Sequence, residues 1–524
     1  MSVFIAGDRF CTPFTMQSIL HDCRFSGGIS ASGQSAGFGG NLFTRDTCRV
    51  LRDVIHIPQM QSFVRQMLVT LLQWQGIKHD DTTNESPDAL QHQVFRQIIG
   101  GIRLNNSVVE QAEYWTSQWG VPMTDSPETG KQFVIYNSSD GPPLYLITLC
   151  EYIQYYGRDV LGDTYMHWPT GKVRTVADGA QRCIDFVLRR ITNGEEIGHG
   201  LYGVPNTNPL QTSPSGVMRD GFDAYVTQGG EPADYGSMVY LENQALVHEA
   251  LYLASRWLST RSRRVDVWEA VADTLAERTI DQLWMENDQF FAAGMDKFGI
   301  VDMISSCAFE LLDSPFFHEI DDGPDYIQAL VHRLYSPDFM TPIGCRMTSL
   351  VHAKQEGEYA PYQGSSAVWG VTNGLIERGL RRQGLATGVE DIGQRLIGWF
   401  NAAHEAYEMT FVDANGKVVF HPEQVLDGRD VSNRSVLYPS EFGQPNQAWS
   451  ASAALRILTS PYHQSPPSAW RKSLNRTLSD LVRQTPMLDR ISIADEQPLL
   501  DLRRGKQLKE QRRNQLAQAA TCES

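Results

Sequence analysis

Apolar residues recur at three-and-four spacing along most of this chain, which predicts helix after helix. The pattern begins at residues 45–56 and 58–75, where Pro58 stands at the opening position of the second helix. It returns at about 88–102, 106–119, 143–157, 174–192, 236–259, 265–285, 303–313, 324–335, 366–383, 388–408 and 446–459. Strand signals are few: Phe133-Val-Ile135, Phe290-Phe-Ala292 and Lys417-Val-Val-Phe420, the last behind the turn Asp413-Ala-Asn-Gly416 and so half of a hairpin. About a dozen helices in one domain form either an open solenoid or a closed double ring. A solenoid needs repeats of even length with a shared consensus, and the unequal helix spacing and loops supply none. The pattern therefore predicts an all-α (α/α)6 toroid over 1–460, with long loops and a few short β-hairpins on one face. Residues 461–470 are rich in Pro and Ser, and 502–514 are strongly charged, so 461–524 reads as a peripheral helical or disordered tail.

Composition narrows the function. The 524 residues are 41% apolar and 20% charged, enough for a large core, with a formal net charge of −16. That balance disfavours nucleic acid and anionic membrane as partners and fits a neutral or cationic ligand; with the loop chemistry described next, the expected partner is a small-molecule or oligosaccharide substrate. The eight cysteines are scattered without a Cys-x-x-Cys pair, so neither a zinc site nor a dense disulfide framework is expected. No signal peptide is evident at the start, and no eighteen apolar residues run together; the expectation is a cytoplasmic protein without a membrane span. The glycine-rich segment 27–41 lacks the Gly-Lys-Ser/Thr ending of a phosphate loop. His248-Glu249 and His404-Glu405 resemble metalloprotease motifs without the second His, and read as helix surface. No metal or cofactor is expected.

Chemistry concentrates in loops that mix acids, aromatics and small residues. Met218 to Glu231 carries Asp220 and Asp223 around Gly221, Phe222 and Tyr225; alone, two carboxylates three apart are also a turn and a cap. The same mixture recurs in Leu42-Phe-Thr-Arg-Asp-Thr47, Tyr136-Asn-Ser-Ser-Asp-Gly141 and Tyr359 to Trp369. It recurs again in His421-Pro-Glu-Gln-Val-Leu-Asp-Gly428, Tyr438 to Gly443 and Gln447-Ala-Trp-Ser450. Aromatic faces pack on the C–H faces of sugars, acids and amides take the hydroxyls, and paired carboxylates supply the acid and base of glycoside hydrolysis.

These motifs resemble those of the amylo-α-1,6-glucosidases, the glucosidase domain of glycogen debranching enzymes and its bacterial relatives. Tyr136 to Leu146 is similar to that family's Tyr-Asn-Thr/Ser-x-Asp-Ala-x-Leu-Trp segment. Thr44-Arg-Asp-Thr47 matches its Gly-Arg-Asp-Thr helix start, Glu423 its Leu-Pro-Glu, and Gln447-Ala-Trp-Ser450 its closing motif. The resemblance runs in order from about residue 37 to 459. Tyr362 to Trp369 also resembles the Gly-x-Val-Trp-Pro signature of the trehalases, mannosyl-oligosaccharide glucosidases and mannosylglycerate hydrolases. The sequence departs from these patterns at Phe222 (Trp in the family), Gly141 (Ala) and Gly370 (Pro).

The resemblance implies an (α/α)6 barrel that hydrolyses an α-glycosidic bond with inversion, an α-glucoside being the expected substrate. It selects Asp223 over Asp220 as general acid. Glu423 becomes the general base, with Glu441 as its rival because relatives place the base nearer the Gln-Ala-Trp-Ser motif. Arg45, Asp46, Tyr136, Asn137, Asp140, Phe222, Tyr362, Gln363, Trp369, Gln447 and Trp449 are expected around the sugar. Two alternatives keep the barrel: a carbohydrate-binding protein without catalysis, and a lyase or epimerase. A lyase needs a Tyr/His pair and cations for uronates, and the acidic balance argues against it.

Overall fold

A computed structural model describes residues 10–25, 28–32, 41–79, 85–91, 93–95, 124–126, 130–136, 138–192, 200–205, 217–220, 224–236, 238–258, 264–352, 363–412, 416, 418–419, 446–460 and 468–486. Twelve α-helices occur among them. They are α1 (Pro13–Asp22), α2 (Thr44–Val54), α3 (Gln61–Thr70), α4 (Gly141–Tyr156), α5 (Val176–Thr192) and α6 (Leu241–Trp257). The others are α7 (Arg264–Leu283), α8 (Gly323–Leu334), α9 (Gly370–Arg382), α10 (Ala386–Ala403), α11 (Ala448–Thr459) and α12 (Ala469–Gln484). Six elements pack side by side into a closed ring: α2 on α4, α4 on α6, α6 on the 3-10 helix Ser306–Asp313, that helix on α9, α9 on α11, and α11 back on α2. Outside them α1, α3, α5, α7, α8 and α10 each lean on an inner neighbour. Outer and inner elements alternate strictly along the chain, which is the (α/α)6 toroid. Helix α12 packs outside the ring against α10 and α8, with Leu474 and Leu478 buried.

The inner elements owe their burial to position, not to apolarity. All eleven residues of α2 are buried although five of them are charged. Arg45, Arg49 and Arg52 follow one face of the helix at i, i+4 and i+7, and that face looks along the ring axis. Each arginine meets carboxylates from other inner elements: Arg45 meets Asp140, Arg49 meets Glu310, and Arg52 meets Glu151, Glu249 and Asp313. At the C-terminal ends of the ring these pairs merge. Arg378 and Arg382 reach Asp313, Arg382 reaches Glu249, and Arg456 spans Asp53 and Glu377. Despite burial, the guanidinium groups of Arg378, Arg52 and Arg382 hold Asp313 below the usual carboxylate range. The floor of the ring is thus closed by charge that is paired across elements.

Short strands sit at the opposite end, several of them feeding directly into an inner helix. Asn41–Phe43 precedes α2, Val239–Tyr240 precedes α6 and Ala367–Trp369 precedes α9. The spacing of 366–383 and 236–259 predicts helix throughout, but Ala367–Trp369 and Val239–Tyr240 are strand. Within the expected helix 88–102, of which 88–91 and 93–95 are described, the departure is larger. Gln93–Phe95 is a strand between Asn41–Phe43 and Gly130–Ile135, in register Leu42↔Val94↔Val134. Two extended neighbours offering backbone partners override a helix-like apolar spacing. Residues 303–313 form a 3-10 helix from Ser306 rather than an α-helix. Met409–Val412 and Val418–Val419 pair across Gly416, which has φ +80°, and complete the expected hairpin. The expected helix at 106–119 lies outside the described residues. The seven described cysteines are buried free thiols.

Candidate functional site

The strand-fed ends of the inner helices surround one buried polar cluster. Strand Asn41–Phe43 delivers Arg45 and Asp46 into the first turn of α2, where Thr44 Oγ1 donates to the Gln91 carbonyl. The start of α4 is set by Pro142 and Pro143, whose missing N–H groups cost nothing in a first turn. Its N-cap, Asp140, is held by Ser138 Oγ at 2.9 Å and paired with Arg45 Nε. Arg45 Nη1 also donates to Asp220 Oδ2 at 3.1 Å, while Gln363 Nε2 reaches Asp220 Oδ1 at 3.5 Å and the Met218 carbonyl at 3.0 Å. Burial opposes the charge on Arg45, but Asp140 and Asp220 outweigh it and raise its pKa further. Asp220 keeps 38% of its side chain open, yet the protein around it raises its carboxyl despite the pull of Arg45. Burial pushes Asp46 up to about 7, with Arg45 opposing and the buried Glu408 and Asp220 adding.

A second group lies at the start of α6. The Tyr225 hydroxyl donates to Glu242 Oε1 at 2.6 Å. Burial, opposed by that hydrogen bond and reinforced by Glu310, pushes Glu242 up to about 7. Asn243 Nδ2 donates to Ser139 Oγ at 2.8 Å and so ties this group to the Asp140 cap. Glu242, Glu408, Glu310 and Arg49 escape a reading of loops alone. The signal that finds them is positional: the inner-element starts face the same centre, so Glu242 behind Val239–Tyr240 is the counterpart of Arg45-Asp46 behind Asn41–Phe43.

Other expected site residues divide three ways. Arg45, Asp46, Asp140, Asp220 and Gln363 are brought together. Tyr136, Trp369, Gln447 and Trp449 are buried around this end; the Tyr136 hydroxyl donates to the Trp74 carbonyl at 2.6 Å, and the Trp369 and Trp449 rings lie 5.9 Å apart. Asn137, Phe222, Asp223, Tyr362, Glu423 and Glu441 lie outside the described residues. Several buried polar atoms around the cluster have no partner among the described residues: Asn41 Oδ1, Arg45 Nη2, Glu242 Oε2, Gln447 Oε1 and Trp449 Nε1.

His248 and Glu249, expected on a helix surface, are buried in α6: Glu249 belongs to the ion-paired floor, and burial lowers His248 to about 3. No group of His, Cys, Asp and Glu suited to a metal occurs among the described residues. Nor is any described helix long and apolar enough to cross a membrane. A cleft of about 430 Å³ between α1, α2 and α3, lined by Leu20, Arg24, Val50 and Phe63 among others, shares none of the cluster's side chains.

No known family model matches the chain, and none of the curated proteins does. Solved structures do. The GH63 mannosylglycerate hydrolase of Thermus thermophilus, in complex with Tris, aligns with TM-score 0.53 at 10% identity over 86% of this chain and 100% of its own. The same hydrolase with glucose gives 0.50 at 12% identity over 85% and 99%. An uncharacterized conserved protein of that organism gives 0.51 at 11% identity over 86% and 99%. The chain shares the fold of these proteins. At such identities the likeness speaks for architecture; the chemistry has to be argued from the side chains.

Proposed function

We propose that this protein is an inverting glycoside hydrolase acting on an α-linked sugar, an α-glucoside first among them. Asp223 donates the proton to the leaving oxygen and Glu423, or its rival Glu441, activates the water. The observation that carries the reading is the interlocked set Arg45–Asp140–Asp220–Gln363 at the centre of the inner-helix starts. Arg45, Asp140 and Gln363 are buried, Asp220 is partly open, and the set adjoins the segment that bears Asp223. It supports Asp223 rather than Asp220 as acid, because both Asp220 oxygens already receive N–H donors. A general acid needs its proton free to face the glycosidic oxygen. Asp220 then orients Arg45 and its neighbour, and Arg45 and Asp46 take sugar hydroxyls.

The test is hydrolysis of a panel of α-glucosides, α-mannosides and α-rhamnosides by the purified protein, beside Asp223→Asn and Glu423→Gln. We expect sugar release by the wild type, a fall of roughly 10²–10⁴-fold in kcat for each variant, and β-anomeric first product by NMR. An inactive wild type, or variants at full rate, would refute the reading.

A further inference from the structure

We propose that Arg219 is a positioning residue for the proton donor, acting by tying together the two ends of the segment that carries Asp220 and Asp223. The proposal rests on the hydrolase reading above. Arg219 is 1% exposed. A guanidinium so deeply buried normally pairs with a carboxylate, but its hydrogen bonds go to neutral oxygens. Nε donates to the Ala224 carbonyl at 2.6 Å, Nη1 to the Met347 carbonyl at 3.1 Å, and Nη2 to Thr348 Oγ1 at 2.6 Å. The first bond joins residue 219 to residue 224, on either side of Asp223 in the chain. The other two join Arg219 to the segment 347–348. Thr348 Oγ1 then donates to the Gln363 carbonyl at 3.2 Å, and Gln363 Nε2 returns to the Met218 carbonyl at 3.0 Å. The circuit closes on the residue before Arg219.

The balancing charge is one residue removed. The guanidinium carbon stands 5.6 Å from the centre of the Tyr225 ring, and the Tyr225 hydroxyl donates to Glu242 at 2.6 Å. Tyr225 thus stands between a buried cation and a buried acid, and Glu242 anchors the far end of the same loop to α6. A planar fork with fixed donor directions holds three acceptors in one geometry; a lysine holds one or two and leaves their mutual distance free. The function of such a tie is to fix where the acid's proton lies, since a displacement of about 1 Å at a reacting group costs on the order of 10²-fold.

The experiment compares wild type, Arg219→Lys and Tyr225→Phe on two α-glycosides of the sugar that wild type cleaves. One has an alkyl aglycone, which leaves only when protonated. The other is the glycosyl fluoride, which needs no proton donor but still needs the base-activated water. For Arg219→Lys we expect kcat on the alkyl glycoside to fall about 10²-fold, with the rate on the fluoride within about tenfold of wild type, KM little changed, and the alkaline limb of the pH–rate profile displaced. Tyr225→Phe, which removes one oxygen atom, should show the same selectivity to a smaller degree and carries the test if the lysine variant does not fold. Equal losses on both substrates, with wild type active, would mean a merely structural role and overturn the proposal, as would no loss on either. A wild type inactive on both substrates would overturn the hydrolase reading itself.

Discussion

Asp46 occupies the third position of helix α2, in a first turn where carboxylates are ordinarily stabilised by the helix dipole. Here burial overrides that preference and pushes its pKa up to about 7 from an ordinary 3.8. The sign of the consequence follows. At pH 3 both folded and unfolded chains carry the proton. Between about pH 4 and pH 7 the unfolded chain releases it and the folded chain keeps it, so stability falls as pH rises through that window. The whole effect is at most on the order of 4 kcal/mol. Asp46→Asn removes this titration. Its melting temperature relative to wild type should therefore climb from pH 5 to pH 8, while Glu242, raised in the same sense, leaves both proteins a shared residual slope. Parallel curves would sink the argument. Arg45, Asp46, Asp140, Asp220 and Gln363 stood out in the sequence because acids and amides in mixed loops are conspicuous there. Glu242 and Glu408 did not, because what raises their importance is the company that folding brings them, and nothing local announces it.

Helix α9 shows what periodicity can and cannot convey. Its apolar spacing announces a helix, yet Gly370, Gly374 and Gly379 look like interruptions. They are contact points. A Cβ at Gly370 would collide with Ser450, one at Gly374 would lie 2.5 Å from the Ala453 Cβ, and one at Gly379 would lie 2.8 Å from the Leu312 Cβ. Helix propensity alone predicts that Gly374→Ala stabilises by about 1 kcal/mol. We expect instead a loss of about 1–3 kcal/mol in chemical denaturation, because α9 and α11 must separate to admit the methyl group. In α2 the same limit takes another form. A stripe of Arg45, Arg49 and Arg52 has the period of a solvated face, and its period cannot say that the solvent is replaced by carboxylates on the ring axis. Arg52→Met tests this. Removing the cation leaves Glu151, Glu249 and Asp313 facing one another with less compensation, so the cost should be roughly 3–5 kcal/mol. A solvated arginine would cost well under about 1 kcal/mol.

At the scale of the whole molecule, closure is the property that sets this fold apart from the solenoid its helix count equally permits. Alternation of outer and inner helices was readable from the sequence as a count without even repeats; what was not readable was which ends meet. They meet through α2 and α11. Arg456 Nε and Ser452 Oγ both donate to Asp53, at 2.8 and 2.9 Å, across about four hundred residues. The Ala448 amide donates to the Ala31 carbonyl at 2.8 Å. In a solenoid each repeat is stabilised by its neighbours, so removing the last one costs only its own interface. In a ring the last inner helix also supports the first: without α11, Asp53 and Glu377 lose Arg456, and the apolar sides of α2 and α9 open to water. A chain ending at residue 445 should therefore lose the cooperative thermal transition of the full protein, monitored by circular dichroism and calorimetry. A truncated chain that still melted cooperatively, a few degrees lower, would behave as a solenoid and contradict the mutual support of first and last inner helices.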